Sequence, residues 1–281
     1  MKVAAWRGVL GVVLVVLMGA VARAQAPAGP AAARAIPPED RPQPLVAEHP
    51  ALFLVGDSIM HTGTGDGSVG PWGYGAELIP MFDATKIHVY NQGLGGRSSR
   101  GYIQEGAWAK VLDQMKPGDW VLVQFGHNDA ANSANYPDRT TLPGDKDDTA
   151  EIDSPVTHAK ETIHSYGWYL RQYVADAKAK GATMIIASPP PRNSWLEGKV
   201  IRGLDGYAAW SADAARVSGA RFIDLNTISA NKYDALGQEA TRPLFNDNQH
   251  SKKAGAKLNA ASVAEGIRGL KDCGLAADLA H

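Results

Sequence analysis

The stretch Ala51-Leu52-Phe53-Leu54-Val55-Gly56-Asp57-Ser58 decides the fold. Four large apolar residues in a row with no alternation, closed by a glycine, fit a strand buried on both faces rather than one half-exposed to water. Comparable runs recur downstream: Ile87 to Tyr90, Asp119 to Phe125, Thr183 to Ala187 and Arg221 to Asp224. Between them lie segments of helical spacing. Gly75 to Phe82 is one. His158 to Lys180 is another, with Ile163, Tyr166, Leu170, Tyr173, Val174 and Ala177 on one face and Gly181 as the stop. Ser251 to Leu270 closes the chain, with Ser251 as its expected N-cap. Alternating β and α units predict a three-layer α/β/α sandwich, flavodoxin-like, around a central, mostly parallel sheet. Ligand sites on such sheets lie beyond the carboxyl ends of the strands, so the chemistry is expected in the residues that follow each one.

Upstream, Lys2 and Arg7 precede an apolar run from Gly8 to Val21, and Ala22-Arg23-Ala24 supplies a small-x-small pattern. This order predicts a signal peptide over 1–24, cut after Ala24, and hence a secreted or periplasmic protein. The run is too short for the ~20 residues that span a bilayer, so no stable membrane anchor is expected. Residues 25–48, rich in Ala and Pro, read as a flexible leader, and 49–281 as a single domain. Removing 1–24 deletes Lys2, Arg7 and Arg23 but no acid, taking the formal charge from −1 to −4. A mildly acidic chain is not the expected profile of a nucleic-acid binder. Cys273 is the single cysteine, so no internal disulfide can form.

Four short motifs follow the strands. Gly56-Asp57-Ser58 places a serine directly after the first strand, where a nucleophile could be presented, although the triplet alone is an ordinary turn. Asn91 to Arg100 is glycine-rich and offers backbone N–H groups to an anion; it lacks the third glycine of a dinucleotide fingerprint. In Gly126-His127-Asn128-Asp129, the Asn128 amide is a candidate oxyanion donor. In Asp247-Asn248-Gln249-His250, an acid three residues before a histidine could orient a general base. Ser58 as nucleophile, His250 as base and Asp247 as its orienter make a complete set for acyl transfer.

Competing chemistries fit less well. Ser229 to Lys232 matches S-x-x-K, but no K-[ST]-G follows, and there is no G-x-S-x-G elbow. His158 and His164 are six apart, off the spacing of zinc-binding helices. The acidic 138–153 segment lacks calcium-loop spacing and reads as a solvated insertion beside the site. His61, His88 and His127 are structural or cleft-lining candidates, with structural favoured.

The four ordered blocks resemble the SGNH (GDSL-type) hydrolases, over about residues 51–270. Pro71-Trp72-Gly73, Gly96-Arg97-Ser98-Ser99-Arg100-Gly101, Phe125 to Asp129, Ala179 to Ala182 and Pro191 to Trp195 are similar to the rhamnogalacturonan acetylesterase branch. Ile59, and Asn248-Gln249 within the last block, depart from the usual residues of that branch. The resemblance implies an oxyanion hole of the Ser58 N–H, the Gly96 N–H and the Asn128 amide. It implies no metal and no cofactor. It also implies a secreted esterase that removes acetyl groups from plant cell-wall polysaccharide, most of all acetylated rhamnogalacturonan. A lipase or thioesterase, or an acetyl-xylan esterase, is the alternative. Trp72, Trp168 and Trp195 are candidates to stack on sugar rings, and Arg97 and Arg100 to meet a galacturonate carboxylate.

Overall fold

Every residue of β1 (Ala51–Gly56) is buried, because it is an interior strand of a five-stranded sheet covered on both faces. The structure, a computed structural model, describes residues 49–64, 66–130, 138–154 and 158–280. The expected signal peptide and the 25–48 leader lie outside the described residues. The other strands of the sheet are β2 (His88–Asn91), β3 (Trp120–Gln124), β6 (Thr183–Ala187) and β9 (Arg221–Ile223). Their spatial order is β2-β1-β3-β6-β9, and all four pairings are parallel. The expected α/β sandwich is therefore present, and its sheet is wholly parallel.

Alternation along the strands divides the apolar residues between two cores. Phe53, Val55, Val121, Val123 and Ile186 face α2 (Ser99–Gln104), α3 (Ala107–Gln114), α4 (Tyr166–Ala179) and α5 (Tyr207–Ser218). Leu52, Leu54, Leu122, Ile185 and Ile223 face α1 (Tyr74–Leu78), α6 (Leu225–Leu236) and α8 (Lys253–Gly269). Because β1 is flanked by β2 and β3, the chain reverses its winding there. The carboxyl ends of β1 and β3 open the crevice that a doubly wound sheet offers to ligands.

Three expected boundaries are corrected. The segment from His158 does not start a helix: β5 (Lys160–His164) pairs antiparallel with β4 (Thr149–Asp153), and α4 begins at Tyr166. Ile163 happens to be in helical phase with Tyr166 and Leu170, but Thr162 and Ile163 are β-branched and favour the pleat. Ser165 is the actual cap, its hydroxyl accepting from the Trp168 N–H. The same hairpin shows that the acidic 138–153 segment is not merely a solvated loop, since its last five residues form β4. Ser251 does not cap α8, which starts at Lys253; its hydroxyl donates instead to the Trp72 carbonyl at 2.9 Å. Between Gly75 and Phe82, α1 gives way to a single 3₁₀ turn at Ile79–Met81, with Pro80 inside it. A short α7 (Gln238–Thr241) and the hairpin of β7 (Trp195–Leu196) with β8 (Lys199–Val200) complete the elements. No helix among the described residues is long and apolar enough to cross a membrane.

Candidate active site

At the end of β1 the chain folds into a tight turn. The Asp57 carbonyl accepts from the N–H groups of Met60 (3.1 Å) and His61 (2.9 Å), while the Asp57 carboxyl accepts from the Ile59 N–H at 2.9 Å. Ser58 stands at the crest of that turn, half-buried. Its Oγ is 3.0 Å from His250 Nε2, although 192 residues separate the two in sequence. The other ring nitrogen, Nδ1, is 2.8 Å from Asp247 Oδ2. A carboxylate only accepts, so Nδ1 carries the hydrogen and Nε2 is left to accept from the Ser58 hydroxyl. Asp247 Oδ1 also accepts from the backbone N–H groups of Gln249 (2.7 Å) and His250 (2.6 Å), so one carboxylate sets both the ring and the turn that carries it. Burial alone would push the Asp247 carboxyl up. The hydrogen bonds from His250 and Gln249 outweigh it and hold the group below its ordinary value.

The glycine-rich turn after β2 packs against the serine. A Cβ built on Gly95 would come within 3.9 Å of Ser58 Cβ and 3.8 Å of the His61 ring. Gly96 has φ +79°, a left-handed conformation that glycine adopts at no steric cost. Asn91 ties this turn to the nucleophile's own: its Nδ2 donates to the Met60 carbonyl (3.0 Å) and Thr62 Oγ1 (2.9 Å), and its Oδ1 accepts from the Gly93 N–H. From the third strand, Asn128 Nδ2 donates to the Arg97 carbonyl at 3.1 Å, which sets the amide beside Gly96. Asp129 is fully buried and accepts from Gly126 N–H, Ser99 N–H and the Ser99 hydroxyl, bracing the β3 exit against the start of α2. The structure thus brings Ser58, Gly96, Asn128, Asp247 and His250 into one place.

Three expected substrate contacts, Arg97, Trp72 and Arg100, do not hold. Arg97 is buried at 6% exposure; its guanidinium pairs with Glu105 (2.9 and 3.0 Å) and donates to the Gly95 carbonyl at 2.9 Å. Trp72 is buried in the core beneath α1, its Nε1 donating to Glu77 Oε1 at 3.0 Å. Neither presents a face to a sugar. Arg100 is likewise buried, against Glu161 (2.8 Å) and the Thr140 carbonyl (2.9 Å). An arginine just after the oxyanion glycine looks like an anion reader in sequence. Here the run is scaffolding: Ser98 caps α2, Ser99 holds Asp129, and both arginines pair with acids of their own chain. Trp168 stacks on His164 at 3.8 Å between ring centroids. Trp195 remains half-buried, its Nε1 donating to Asn193 Oδ1, on a segment whose Asn193 N–H bonds the Asn248 carbonyl inside the His250 turn.

Two features escaped the sequence reading, and a third, His61, takes the cleft-lining place that the sequence had left open beside the favoured structural one. Arg139 reaches the site from the edge of the insertion, its Nη1 3.4 Å from Asn128 Oδ1; nothing in the local sequence signals it. His61 lines the cleft, its Nδ1 donating to the Gly93 carbonyl at 3.1 Å. Behind the nucleophile, Asp57 Oδ2 faces His127 Nδ1 at 3.9 Å, and both residues are buried. Burial pushes the Asp57 carboxyl up to about 7, helped by the charge of Asp129. Burial pulls His127 down to about 3, with the charges of Arg192 and His250 adding to the effect. At neutral pH the contact is thus between a neutral ring and a carboxyl near its midpoint, not an ion pair.

A doubly wound sheet that sets a serine–histidine–aspartate chain against a glycine turn and an asparagine amide defines a hydrolase of carboxylic esters. Within that class the chain belongs to the GDSL-like lipase/acylhydrolase family, whose sequence model matches residues 54–258. It is 29% identical to a rhamnogalacturonan acetylesterase of Emericella nidulans over 77% of this chain and 84% of that one. It is 31% identical to the probable rhamnogalacturonan acetylesterase YesY of Bacillus subtilis strain 168, over 78% of this chain and 93% of the relative. Among solved structures, YxiM from Bacillus subtilis superposes with a TM-score of 0.65 at 24% identity. That match covers 79% of this chain but spans only 56% of the YxiM chain, and it bears on the fold alone.

Proposed function

We propose that the protein removes acetyl groups from acetylated cell-wall polysaccharide, with acetylated rhamnogalacturonan the first substrate to test. The observation that carries the chemistry is the Ser58–His250–Asp247 chain, with contacts of 3.0 and 2.8 Å, set beside Gly96 and Asn128. His250 Nε2 takes the Ser58 proton as Oγ attacks the acetyl carbonyl. The oxyanion is met by the N–H groups of Ser58 and Gly96 and by the Asn128 amide. Collapse releases the sugar hydroxyl, protonated by His250, and leaves acetyl-Ser58. Water activated by His250 then frees acetate and restores the serine. Each oxyanion donor contributes roughly 3 kcal/mol to the transition state.

The carbohydrate substrate rests on the two acetylesterase relatives. The export signal expected from the sequence over residues 1–24 would agree with a substrate that lies outside the cell. Trp195, beside the His250 turn, is the first candidate to stack on a sugar ring. The test is acetate release from a panel of acetylated rhamnogalacturonan, xylan and neutral glycans, with 4-nitrophenyl acetate alongside. Ser58→Ala is expected to abolish all hydrolysis at unchanged thermal stability; residual turnover near wild-type would refute the serine mechanism. Preferential release from xylan would replace the pectic reading while leaving the mechanism intact.

A further inference from the structure

Asn128 can assist an oxyanion only if its amide presents Nδ2, not Oδ1, to the cleft, and two neighbours decide which. The Arg97 carbonyl can only accept, and Asn128 Nδ2 lies 3.1 Å from it. A guanidinium can only donate, and Arg139 Nη1 lies 3.4 Å from Oδ1. Flipping the amide would set carbonyl against carbonyl and NH2 against guanidinium, so both contacts would become repulsive at once. Nδ2 has a second hydrogen besides the one directed at Arg97, and that one is free of the constraint.

The same guanidinium lies over Gly96. A Cβ built on that glycine would stand 3.3 Å from Arg139 Nη2 and 3.6 Å from Cζ. The cation therefore contacts Asn128 and lies beside Gly96, the two residues proposed to furnish an oxyanion hole alongside Ser58. Arg139 Nε is also 3.8 Å from the Asp138 carboxylate, and the side chain is 25% exposed. This places a positive charge at the rim of the site, against Asn128 and beside Gly96, while Arg97 and Arg100 are paired with Glu105 and Glu161.

We propose that Arg139 is a positioning residue of the oxyanion hole: it locks the Asn128 amide with Nδ2 towards the reacting carbonyl and places its charge where negative charge develops. This rests on the acyl-transfer reading of the same site. The chemistry it favours is a transition-state anion, so the effect falls on kcat and is felt by neutral and acidic esters alike.

The experiment is a double-mutant cycle of Arg139→Ala and Asn128→Ala, with Arg139→Lys as the conservative variant, measured on 4-nitrophenyl acetate and on acetylated rhamnogalacturonan. Asn128→Ala should lower kcat by about 10²–10³-fold, as loss of an oxyanion donor does. Arg139→Ala should lower kcat by about 10-fold to 10²-fold, with little change in KM on either substrate. In the Asn128→Ala background the same change should cost about 3-fold or less, because its partner is gone. Arg139→Lys should recover part of the loss, since it restores the charge without the fork. Additive losses, or a defect confined to KM on the acidic glycan, would overturn the proposal and make Arg139 a substrate contact. A fall in thermal midpoint with kcat unchanged would overturn it in favour of a structural role. If Asn128→Ala left kcat intact while Ser58→Ala abolished it, the oxyanion assignment of Asn128 would fail, and this inference with it, but the serine mechanism would stand.

Discussion

Trp72 and Ser251 hold one another twice: the Trp72 N–H donates to the Ser251 carbonyl at 2.8 Å, and the Ser251 hydroxyl donates to the Trp72 carbonyl at 2.9 Å. Ser251 follows His250 directly, while the residues after Trp72 are laced to the nucleophile's turn. Gly73 N–H bonds the His61 carbonyl, Tyr74 the Ile59 carbonyl and Gly75 the Met60 carbonyl, all at 2.9–3.0 Å. One short segment thus sets the spacing between the serine's turn and the histidine's turn.

This linkage predicts two graded defects. Ser251→Ala removes one buried hydrogen bond and should destabilise the fold by about 1 kcal/mol, with a loss in kcat at unchanged KM as the His250 turn loosens. Gly73→Ala has no such latitude, because its Cβ would stand 2.1 Å from the His61 carbonyl oxygen, a backbone atom. It should fail to give soluble folded protein. Urea denaturation of the first and soluble yield of the second are the measurements, and a fully stable Gly73→Ala variant would contradict the packing described.

Arg97 offers a cleaner test of what the sequence left ambiguous. Its guanidinium is buried on Glu105, so Arg97→Ala leaves that acid without its partner beside α2. The expected loss is about 1–2 kcal/mol of stability, from the hydrogen bonds of the buried guanidinium, because Glu105 is partly exposed and water can take over its charge. KM for acidic and neutral acetylated glycans should move together. If stability were unchanged and KM rose only on the acidic glycan, Arg97 would have to be a substrate contact after all.

The individual strands and the Asp247–His250 pair were legible in the sequence because each is local. The Ser58–His250 contact, 192 residues apart, was legible only from the order of the motifs that follow the strands. Leu52 to Val55 fit a doubly buried strand, and strand ends of such sheets face the crevice, so the residues after it were where chemistry was expected. His250 and Asp247 are three residues apart, so a single turn brings them together whatever the rest does. What was not legible depends on distant partners. Trp72 and Arg97 have the residue types of a glycan site, and only the presence of Glu77 and Glu105 beside them turns them inward. Arg139 is the converse, a charge in an unremarkable segment that the fold carries to Asn128. The hairpin at 149–164 was hidden because Ile163 keeps helical phase with the helix that follows.

The buried Asp57 predicts a pH dependence of stability. Its folded value, about 7, lies above the ordinary 3.8, so between about pH 4 and pH 7 the folded protein keeps a proton that the unfolded chain has released. Stability from this group is complete below that window and is lost as pH rises through it. Asp129, also raised to about 7 by burial, acts with the same sign. His127, lowered to about 3, acts with the opposite sign between about pH 3 and pH 6.5. Asp57→Asn removes only the first contribution and keeps an acceptor for the Ile59 N–H. Stability measured by urea at several pH values should therefore shift in favour of the variant between pH 4 and pH 8. A difference that stays flat across that range would show that Asp57 does not titrate there.

Asp247→Asn separates orientation from structure more sharply than removal of the side chain would. The amide oxygen can take the place of Oδ1 and keep the two backbone N–H bonds from Gln249 and His250, so the turn survives. The amide nitrogen then occupies the place of Oδ2 and presents hydrogens to His250 Nδ1. To avoid donor facing donor, the ring must carry its proton on Nε2. That proton points at Ser58 Oγ, and the histidine can no longer accept from it. The expected result is a fall in kcat of about 10³–10⁴-fold with the thermal midpoint held near wild-type, the cost of the wrong tautomer. Asp247→Ala should lose a similar amount of kcat and also lower the midpoint, because the turn loses its acceptor. If Asp247→Asn kept full turnover, the aspartate would be a turn former and nothing more, and the base would need no orienter.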